Sequence, residues 1–358
     1  MALRQLPEYT SPMRILCVTS VRNEGPFLLE WIAHLRGAGV TDFLIYSNDC
    51  EDGTDQILAL LDAAGVITHV PQILTEGERP QWTALRAAWK HPLRKACDWA
   101  LVCDVDEFVN IHAGNGRFDD LFAAVPANTQ GMLLPWRLFG SNNRVWFEDL
   151  PVTEQFTASM TEAANYPIAA TFFKSIFRLD GPFNQFGVHR PRQKNPDKTE
   201  NPVWVDGSGQ VMPDIFNANP NRLSLFGLPN GRALVECNHY SLHSAESFLV
   251  KRARGLPNRI TKPIDLSYWV ERNFNTVANT SIFHMRAATL QALVALRAIP
   301  DVQPLHEASV DWHKAKFQAL MHSAPEYELF HQIITAGSSQ TPPPAVVMQM
   351  VKWYQRFV

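Results

Sequence analysis

Residues 98–108 read Asp-Trp-Ala-Leu-Val-Cys-Asp-Val-Asp-Glu-Phe, an apolar run that leads into three carboxylates. The continuous apolar residues 101–103 predict a buried strand. Because side chains two apart in an extended chain share a face, Asp104 and Asp106 are expected to point the same way. Carboxylate oxygens suit Mg²⁺ or Mn²⁺, and Mg²⁺ commonly binds one or two protein carboxylates together with substrate phosphates. The stretch therefore predicts a metal-bridged phosphate substrate, and an acidic strand end exposed to water is the alternative.

Upstream of this stretch the chain alternates between strand and helix patterns. The predicted order is a strand at 14–21, a helix from Pro26 stopped by Gly37 and Gly39, a strand at 43–46, a helix capped by Thr54 and ended by Gly65, a strand at 66–70 and a helical stretch at 80–96. This order predicts an α/β fold whose mostly parallel sheet is flanked by helices.

Polar residues follow three of the predicted strands, at 22–24, 48–52 and 104–107. In open parallel sheets ligands bind beyond the carboxyl ends of the strands. We therefore expect the three polar clusters to converge on one edge of the sheet.

The rest of the chain changes character twice. Short strands with many aromatic residues predict a β-rich half that extends the sheet, with a loop at 190–209, and helical patterns begin at Ser244. The expected units are 13–130 and 131–243, which together form one domain, then a helical extension at 244–336 and a linker with a terminal helix at 337–358.

Composition narrows the class of protein. The 358 residues are 46% apolar and 19% charged, with a formal net charge of −3, which argues against a nucleic-acid binder. Five cysteines without a Cys-x-x-Cys pair favour reduced thiols and a cytoplasmic protein. No apolar run reaches the length of a membrane span. The apolar terminal helix, 346–358, is expected to dock on its own domain, with peripheral contact to the inner face of a membrane as the alternative.

Five motifs then occur in order along the chain. They are Val21-Arg22-Asn23-Glu24, the turn at 48–54, Asp98-Trp99 with Asp104-Val105-Asp106-Glu107-Phe108, Trp136-Arg137-Leu138-Phe139-Gly140-Ser141, and the segment at 238–244 with Phe248, Lys251, Arg254 and Gly255. Together they resemble the family 2-like glycosyltransferases of the GT-A fold, in the branch related to the family 92 enzymes. The resemblance spans about residues 14–256.

The resemblance implies a nucleotide-diphospho-sugar donor of the UDP or GDP type. Asp106 would be the principal metal ligand, Asp104 would lie towards the ribose or the metal, and His239 would be a late metal ligand. The chain departs from the family where Cys50 replaces a frequent serine. The donor-binding candidates are Arg22, Asn23, Glu24, Asn48, Asp49, Asp52 and Asp104.

Basic side chains near the end of the resemblance are candidates for holding the diphosphate. Lys251 and Arg254 lie on a predicted helix shortly after His239, and arginine matches phosphate oxygens well. A solvated helix face explains these residues about as easily.

We expect transfer with inversion, which requires a carboxylate to take a proton from the acceptor hydroxyl. The candidates are Asp149, which is favoured, Glu148 and Glu154. A solvated turn before Pro151 is the alternative explanation for the first two.

The leading interpretation is a metal-dependent glycosyltransferase, using Mn²⁺ or Mg²⁺, that moves a sugar onto a glycan or lipid-linked acceptor. A nucleotidyltransferase or phosphohydrolase is a second class, disfavoured because the chain lacks a Gly-x-x-x-x-Gly-Lys-[Ser/Thr] loop. A catalytically silent sugar-binding protein on the same scaffold is a third.

Overall fold

The computed structural model describes residues 13–162, 164–193, 200–255, 264–354 and 356. The strands are Ile15–Val21 (β1), Asp42–Ser47 (β2), Thr68–Pro71 (β3), Trp99–Val102 (β4), Glu107–Ile111 (β5), Gly131–Leu138 (β6), Ala158–Ser159 (β7), Phe173–Arg178 (β8), Trp204–Val205 (β9), Val235–His239 (β10) and Val277–Ala278 (β11). The helices are Gly25–Ala38 (α1), Thr54–Ala63 (α2), Pro80–Lys90 (α3), Phe118–Ala123 (α4), Val152–Gln155 (α5), Ile215–Ala218 (α6), Ala245–Arg254 (α7), Leu266–Val270 (α8), Arg286–Arg297 (α9), Val302–Leu320 (α10), Ala324–Ala336 (α11) and Pro344–Tyr354 (α12).

One large sheet runs in the order β3-β2-β1-β4-β8-β6-β10-β5, and β9 pairs with β6. The first four strands of this order are parallel to one another. Strand β8 is antiparallel to both of its neighbours, and β5 is antiparallel to β10. The predicted fold class is confirmed: a mostly parallel sheet is flanked by helices, continued by a mixed extension and followed by a helical C-terminal region.

Alternate residues of β1 face opposite sides of the sheet, as its continuous apolar sequence predicts. Ile15 and Cys17 pack on the side covered by α1, whereas Leu16 and Val18 pack on the side covered by α3. A third apolar cluster joins α7, α8, α10 and α11. The sheet is thus buried on both faces, which leaves its edges for the polar clusters.

The start and end of α1 follow the predicted signals only in part. Pro26 lies in the first turn, and Gly39 ends the helix with a positive φ of 107°, a conformation that favours glycine. Gly37 does not end the helix. It lies inside it, where a β-carbon would come within 3.2 Å of the Ala288 backbone. Glycine at this position therefore allows α9 to approach α1 closely.

The prediction that Thr54 caps α2 is wrong. Gly53 is the N-cap, and Thr54 is the first helical residue. The Thr54 hydroxyl instead accepts a hydrogen bond from the Glu24 backbone N–H at 2.9 Å, and the Thr54 backbone N–H donates to Asp52. Thr54 therefore joins the loops that follow β1 and β2.

Strand direction brings several distant segments to one edge. Strand β8 is antiparallel to both β4 and β6, so β6 runs in the same direction as β4. Strand β10 is parallel to β6 and therefore also runs in this direction. The carboxyl ends of β1, β2, β4, β6 and β10 therefore share an edge, where the antiparallel strands β5 and β8 begin. We call this the carboxyl edge.

The predicted loop at 190–209 is only partly loop. Residues 194–199 lie outside the described part of the chain, and Trp204 and Val205 pair with β6. The bounds of the predicted units stay predictions. In the described part of the chain no single helix is long and apolar enough to span a membrane, although the bent pair Ser281–Arg297 and Val302–Leu320 passes a test of length and composition when taken together.

Glu30 on α1 anchors the segment that enters α5. Its carboxylate accepts hydrogen bonds from the Val152 N–H at 2.6 Å and from the backbone and hydroxyl of Thr153 at 3.2 and 2.8 Å. Burial raises the pKa of Glu30 to about 7 against these hydrogen bonds, which act to lower it. The folded protein therefore binds the carboxyl proton of Glu30 more tightly than the unfolded chain does.

We expect Glu30 to make the free energy of unfolding depend on pH. Its contribution is fully present below its ordinary pKa near 4.5 and is lost as the pH rises towards 7. Urea denaturation at pH 4.5 and pH 7.5 should show this loss in the native protein and a smaller one in Glu30→Gln, which cannot ionise. Glu148→Gln, an exposed neighbour of the same segment, is the control. An equal pH dependence in Glu30→Gln and the native protein would contradict the assignment.

Candidate functional site

A cavity of about 700 Å³ opens at the carboxyl edge. Charged and polar side chains from both halves of the sheet and from the helices that follow line one part of it. They are Glu24, Gln81, Asp104, Asp106, His239, Lys251, Arg254, Glu271 and Arg272.

Asp106 lies at the centre of one charged group. Its Oδ2 accepts a hydrogen bond from Lys251 Nζ at 2.5 Å and lies 3.6 Å from His239 Nε2. Lys251 Nζ also donates to the Ser241 carbonyl at 2.8 Å. The end of β10 and helix α7 therefore meet the turn after β4 at this carboxylate.

Burial and charge act in opposite directions on this group. Burial would raise the pKa of Asp106, but the Lys251 ammonium and the His239 ring together hold that pKa well below its usual range. Burial lowers the pKa of His239 against the attraction of Asp106. At neutral pH the group consists of a carboxylate, an ammonium and a neutral imidazole, whose Nδ1 has no hydrogen-bond partner among the described residues.

Asp104 belongs to a second charged group. Its Oδ2 accepts from Lys174 Nζ at 2.9 Å, and its Oδ1 accepts from Gln81 Nε2 at 2.8 Å. Lys174 Nζ also lies 3.0 Å from Glu107 Oε2, which accepts from the Asp104 backbone N–H. Burial raises the pKa of Glu107 to about 8 although Lys174 opposes this.

Asp104 and Asp106 do not share a strand face as predicted. The strand ends at Val102, and Val105 and Asp106 form a turn. Asp104 and Asp106 therefore pair with different lysines, Lys174 and Lys251, although both aspartates line the cavity.

The loops after β1 and β2 are joined by their own polar side chains. Asn23 and Asp49 adopt left-handed conformations, with φ of 51° and 46°, that asparagine and aspartate tolerate better than most residues. Asn23 accepts a hydrogen bond from the Glu51 N–H, and Asp52 accepts one from the Gly25 N–H. These polar residues shape the two loops.

Arg254, the last residue of α7, holds the loop that follows β1 against this helix. Its guanidinium donates to the carbonyls of Arg22 and Asn23 and pairs with the Glu24 carboxylate. Burial raises the pKa of Glu24 to about 7 although Arg254 opposes this. The pair Glu24–Arg254 forms the rim of the cavity on the side of β1.

The donor-binding candidates therefore fall into two groups. Glu24, Asp104, Lys251 and Arg254 line the cavity. The remaining candidates are outside its lining and hold the adjacent loops. They are Arg22, Asn23, Asn48, Asp49 and Asp52.

The structure does not bring the three base candidates to the cavity. Asp149 pairs with His306 on α10 at 3.0 Å, and Glu148 pairs with Arg144 at 3.2 Å. Glu154 pairs with Arg286 on α9 at 2.7 Å. The role of these carboxylates as bases stays a prediction.

Several residues of the site were not predicted from the sequence. Lys174, which is buried behind the cavity lining and pairs with Asp104, carried a usable signal, because a lysine within the apolar strand β8 is rarely buried unless paired. Glu271 and Arg272 follow a short helix without a recognisable pattern. Met350 and Val351 come from α12, whose position could not be inferred from its own sequence.

An aromatic group joins the charged edge to the rest of the cavity. The Trp136 ring lies 4.1 Å from the His239 ring and 5.5 Å from the Phe172 ring, between centroids. His189 lies beside Trp136, and its Nδ1 donates to the Phe173 carbonyl. Burial lowers the pKa of His189 to about 3, so this ring is neutral.

Comparisons with known proteins agree with the predicted family. Residues 13–208 match the family model described as glycosyltransferase family 92. A family 92 protein of Oryza sativa subsp. japonica is 28% identical over 185 residues, which cover 49% of this chain and 29% of that protein. One of Ricinus communis is 34% identical over 106 residues, which cover 29% of this chain and 18% of that protein. The matches thus span less than a third of these relatives' own length.

Solved structures resemble the chain only distantly. S. aureus TarS 1-349 aligns with 14% identity and a TM-score of 0.34 over 87% of this chain and 92% of that one. The family model, in contrast, covers more than half of the 358 residues, including β1, β2, β4 and the acidic turn. The chain therefore belongs to glycosyltransferase family 92.

Proposed function

We propose that the protein transfers a sugar from a nucleotide-diphosphate donor, of the UDP or GDP type, to a glycan or lipid-linked acceptor. In this proposal the chain has the GT-A fold and the transfer inverts the configuration at the anomeric carbon. The observation that supports this most is the meeting of Asp104, Asp106, His239, Lys251 and Arg254 at one cavity on the carboxyl edge. Such a site has cations for a diphosphate and carboxylates for a metal ion or for sugar hydroxyls. Family membership favours the same chemistry.

A divalent ion, Mn²⁺ or Mg²⁺, fits this donor set with two protein ligands. Asp106 Oδ2 and His239 Nε2 are 3.6 Å apart, and a neutral imidazole supplies a lone pair. In the described part of the chain no group of three or more His, Cys, Asp or Glu residues is arranged to hold a metal, so phosphate oxygens would complete the shell. Bound there, the ion would neutralise negative charge on the leaving diphosphate.

The cationic side chains of Lys251 and Arg254 would also stabilise the negative charge of the leaving diphosphate. Lys251 Nζ is held by the Ser241 carbonyl as well as by Asp106, so it stays in the cavity if Asp106 takes another partner. Arg254 on the same helix is fixed by the carbonyls of the loop after β1. Helix α7 therefore presents two cations at fixed positions to an incoming diphosphate.

Glu271 is the cavity carboxylate best placed to serve as the base. The other carboxylates that line the cavity are paired with cations: Glu24 with Arg254, Asp104 with Lys174 and Asp106 with Lys251. Glu271 pairs with its neighbour Arg272 at 3.3 Å, but its side chain is 45% exposed, against 12%, 32% and 12% for Glu24, Asp104 and Asp106. This greater exposure leaves its carboxylate better able to approach an acceptor hydroxyl.

We expect Mn²⁺ and a nucleoside diphosphate to stabilise the native protein together more than either does alone. At about 100 times the dissociation constant, a ligand raises the free energy of unfolding by about 2.7 kcal/mol. Thermal denaturation with Mn²⁺ and UDP, or Mn²⁺ and GDP, should show this gain, and Asp106→Asn should lose it. Asp180→Asn, on an exposed loop, is the control and should keep it. If neither nucleotide protects the native protein with Mn²⁺, the proposed function is wrong.

For Glu271→Gln we expect kcat to fall by about 10²–10⁴-fold, because general-base catalysis contributes about that much. Binding of Mn²⁺ and nucleoside diphosphate should be unchanged, because Glu271 acts on the acceptor. Glu162→Gln, an exposed carboxylate away from the cavity lining, is the matched control. A kcat of Glu271→Gln close to that of the native protein would exclude Glu271 as the base and leave Asp149 as the favoured candidate.

A further inference from the structure

The cavity continues from the charged edge into a part lined by apolar side chains. Two separate segments supply them: Ile168 and Phe172 come from the connection before β8, and Met350 and Val351 come from α12. Trp136 joins the two parts, because its ring contacts both His239 and Phe172. We call this part the apolar chamber.

The lining of the apolar chamber contains both aliphatic and aromatic side chains. Trp136 is only 8% exposed, so most of its ring is covered by protein. Ile168 and Met350 are half-buried and therefore keep surface towards the cavity. Trp136 therefore offers little open face on which a sugar could stack, whereas Trp353 of α12, which also lines the cavity, is 50% exposed.

The chemistry of these side chains discriminates between acceptors. The side chains of Ile168, Phe172 and Val351 have no hydrogen-bond donor or acceptor, and the Met350 sulfur is a weak acceptor at best. Burying sugar hydroxyls against them would leave hydroxyl groups unpaired, which is unfavourable. Burying methylene groups there is favourable.

We propose that the apolar chamber binds the hydrocarbon part of an amphipathic acceptor, one whose reactive hydroxyl is attached to an aliphatic chain. The chain would lie between the segment before β8 and α12, and the hydroxyl would lie near Trp136 and the charged edge. This inference rests on the proposed function and narrows its acceptor from a glycan or lipid-linked molecule to the second class.

The test uses n-alkyl β-glucosides from methyl to octyl, each below its micelle concentration. Their binding to the full chain is followed by tryptophan fluorescence and calorimetry. We expect affinity to rise about fourfold for each added methylene that enters the chamber, which corresponds to ~0.8 kcal/mol.

Two variants of α12 form a matched pair for this test. Met350 lines the chamber, whereas Met348 is 55% exposed and is not part of the lining. Met350→Gln should weaken octyl glucoside binding by about fivefold or more and leave methyl glucoside unchanged, and Met348→Gln should change neither. Ile168→Ser, on the opposite segment, should act like Met350→Gln.

An affinity that does not change with chain length would overturn the proposal. Equal weakening by Met348→Gln and Met350→Gln would also overturn it, because this result indicates adsorption to the outside of the helix. The series is measured with and without Mn²⁺ and nucleoside diphosphate. Loss of nucleotide binding therefore counts against the proposed function, while the chain-length series still decides the acceptor.

Discussion

The carboxyl edge depends on the burial of negative charge. Asp104 and Asp106 are two residues apart, and removing their carboxylates from water is unfavourable unless cations accompany them. Lys174 from β8 and Lys251 from α7 supply these cations. Because the lysines are 70 and 145 positions from their aspartates along the chain, the pairing fixes the second half of the sheet and α7 against the end of β4.

Strand direction explains why these groups can meet. A sheet that stayed entirely parallel beyond β4 would place the first residues of β8 at the opposite edge, and Lys174 could not reach Asp104. The antiparallel β8 brings its first residues to the carboxyl edge and also returns β6 and β10 to the direction of β4. Trp136 and His239 then end on the same side as the acidic turn.

The sequence predicts the first half of the molecule well, because apolar runs, Pro26 and Gly39 are local signals with a direct physical meaning. The meeting of the loops after β1, β2 and β4 at one edge also follows from the rule for parallel sheets, whereas His239 was expected there only from the family resemblance. The same-face arrangement of Asp104 and Asp106 did not follow, since the chain leaves the extended conformation at Val102. The partners of Asp149 and Lys174 are long-range contacts, which no local pattern contains.

Charge balance explains why a metal ion and a donor would favour each other at this site. An ion that arrives alone must compete with the Lys251 ammonium for the same oxygen of Asp106. A diphosphate that arrives alone meets Lys251 and Arg254 but also the carboxylates of Glu24 and Asp106. With both present, Asp106 would hold the ion, and the Lys251 ammonium would pair with a phosphate in place of Asp106. No buried charge would then be left unpaired, a condition that Lys174 and Lys251 already satisfy in the protein without these ligands.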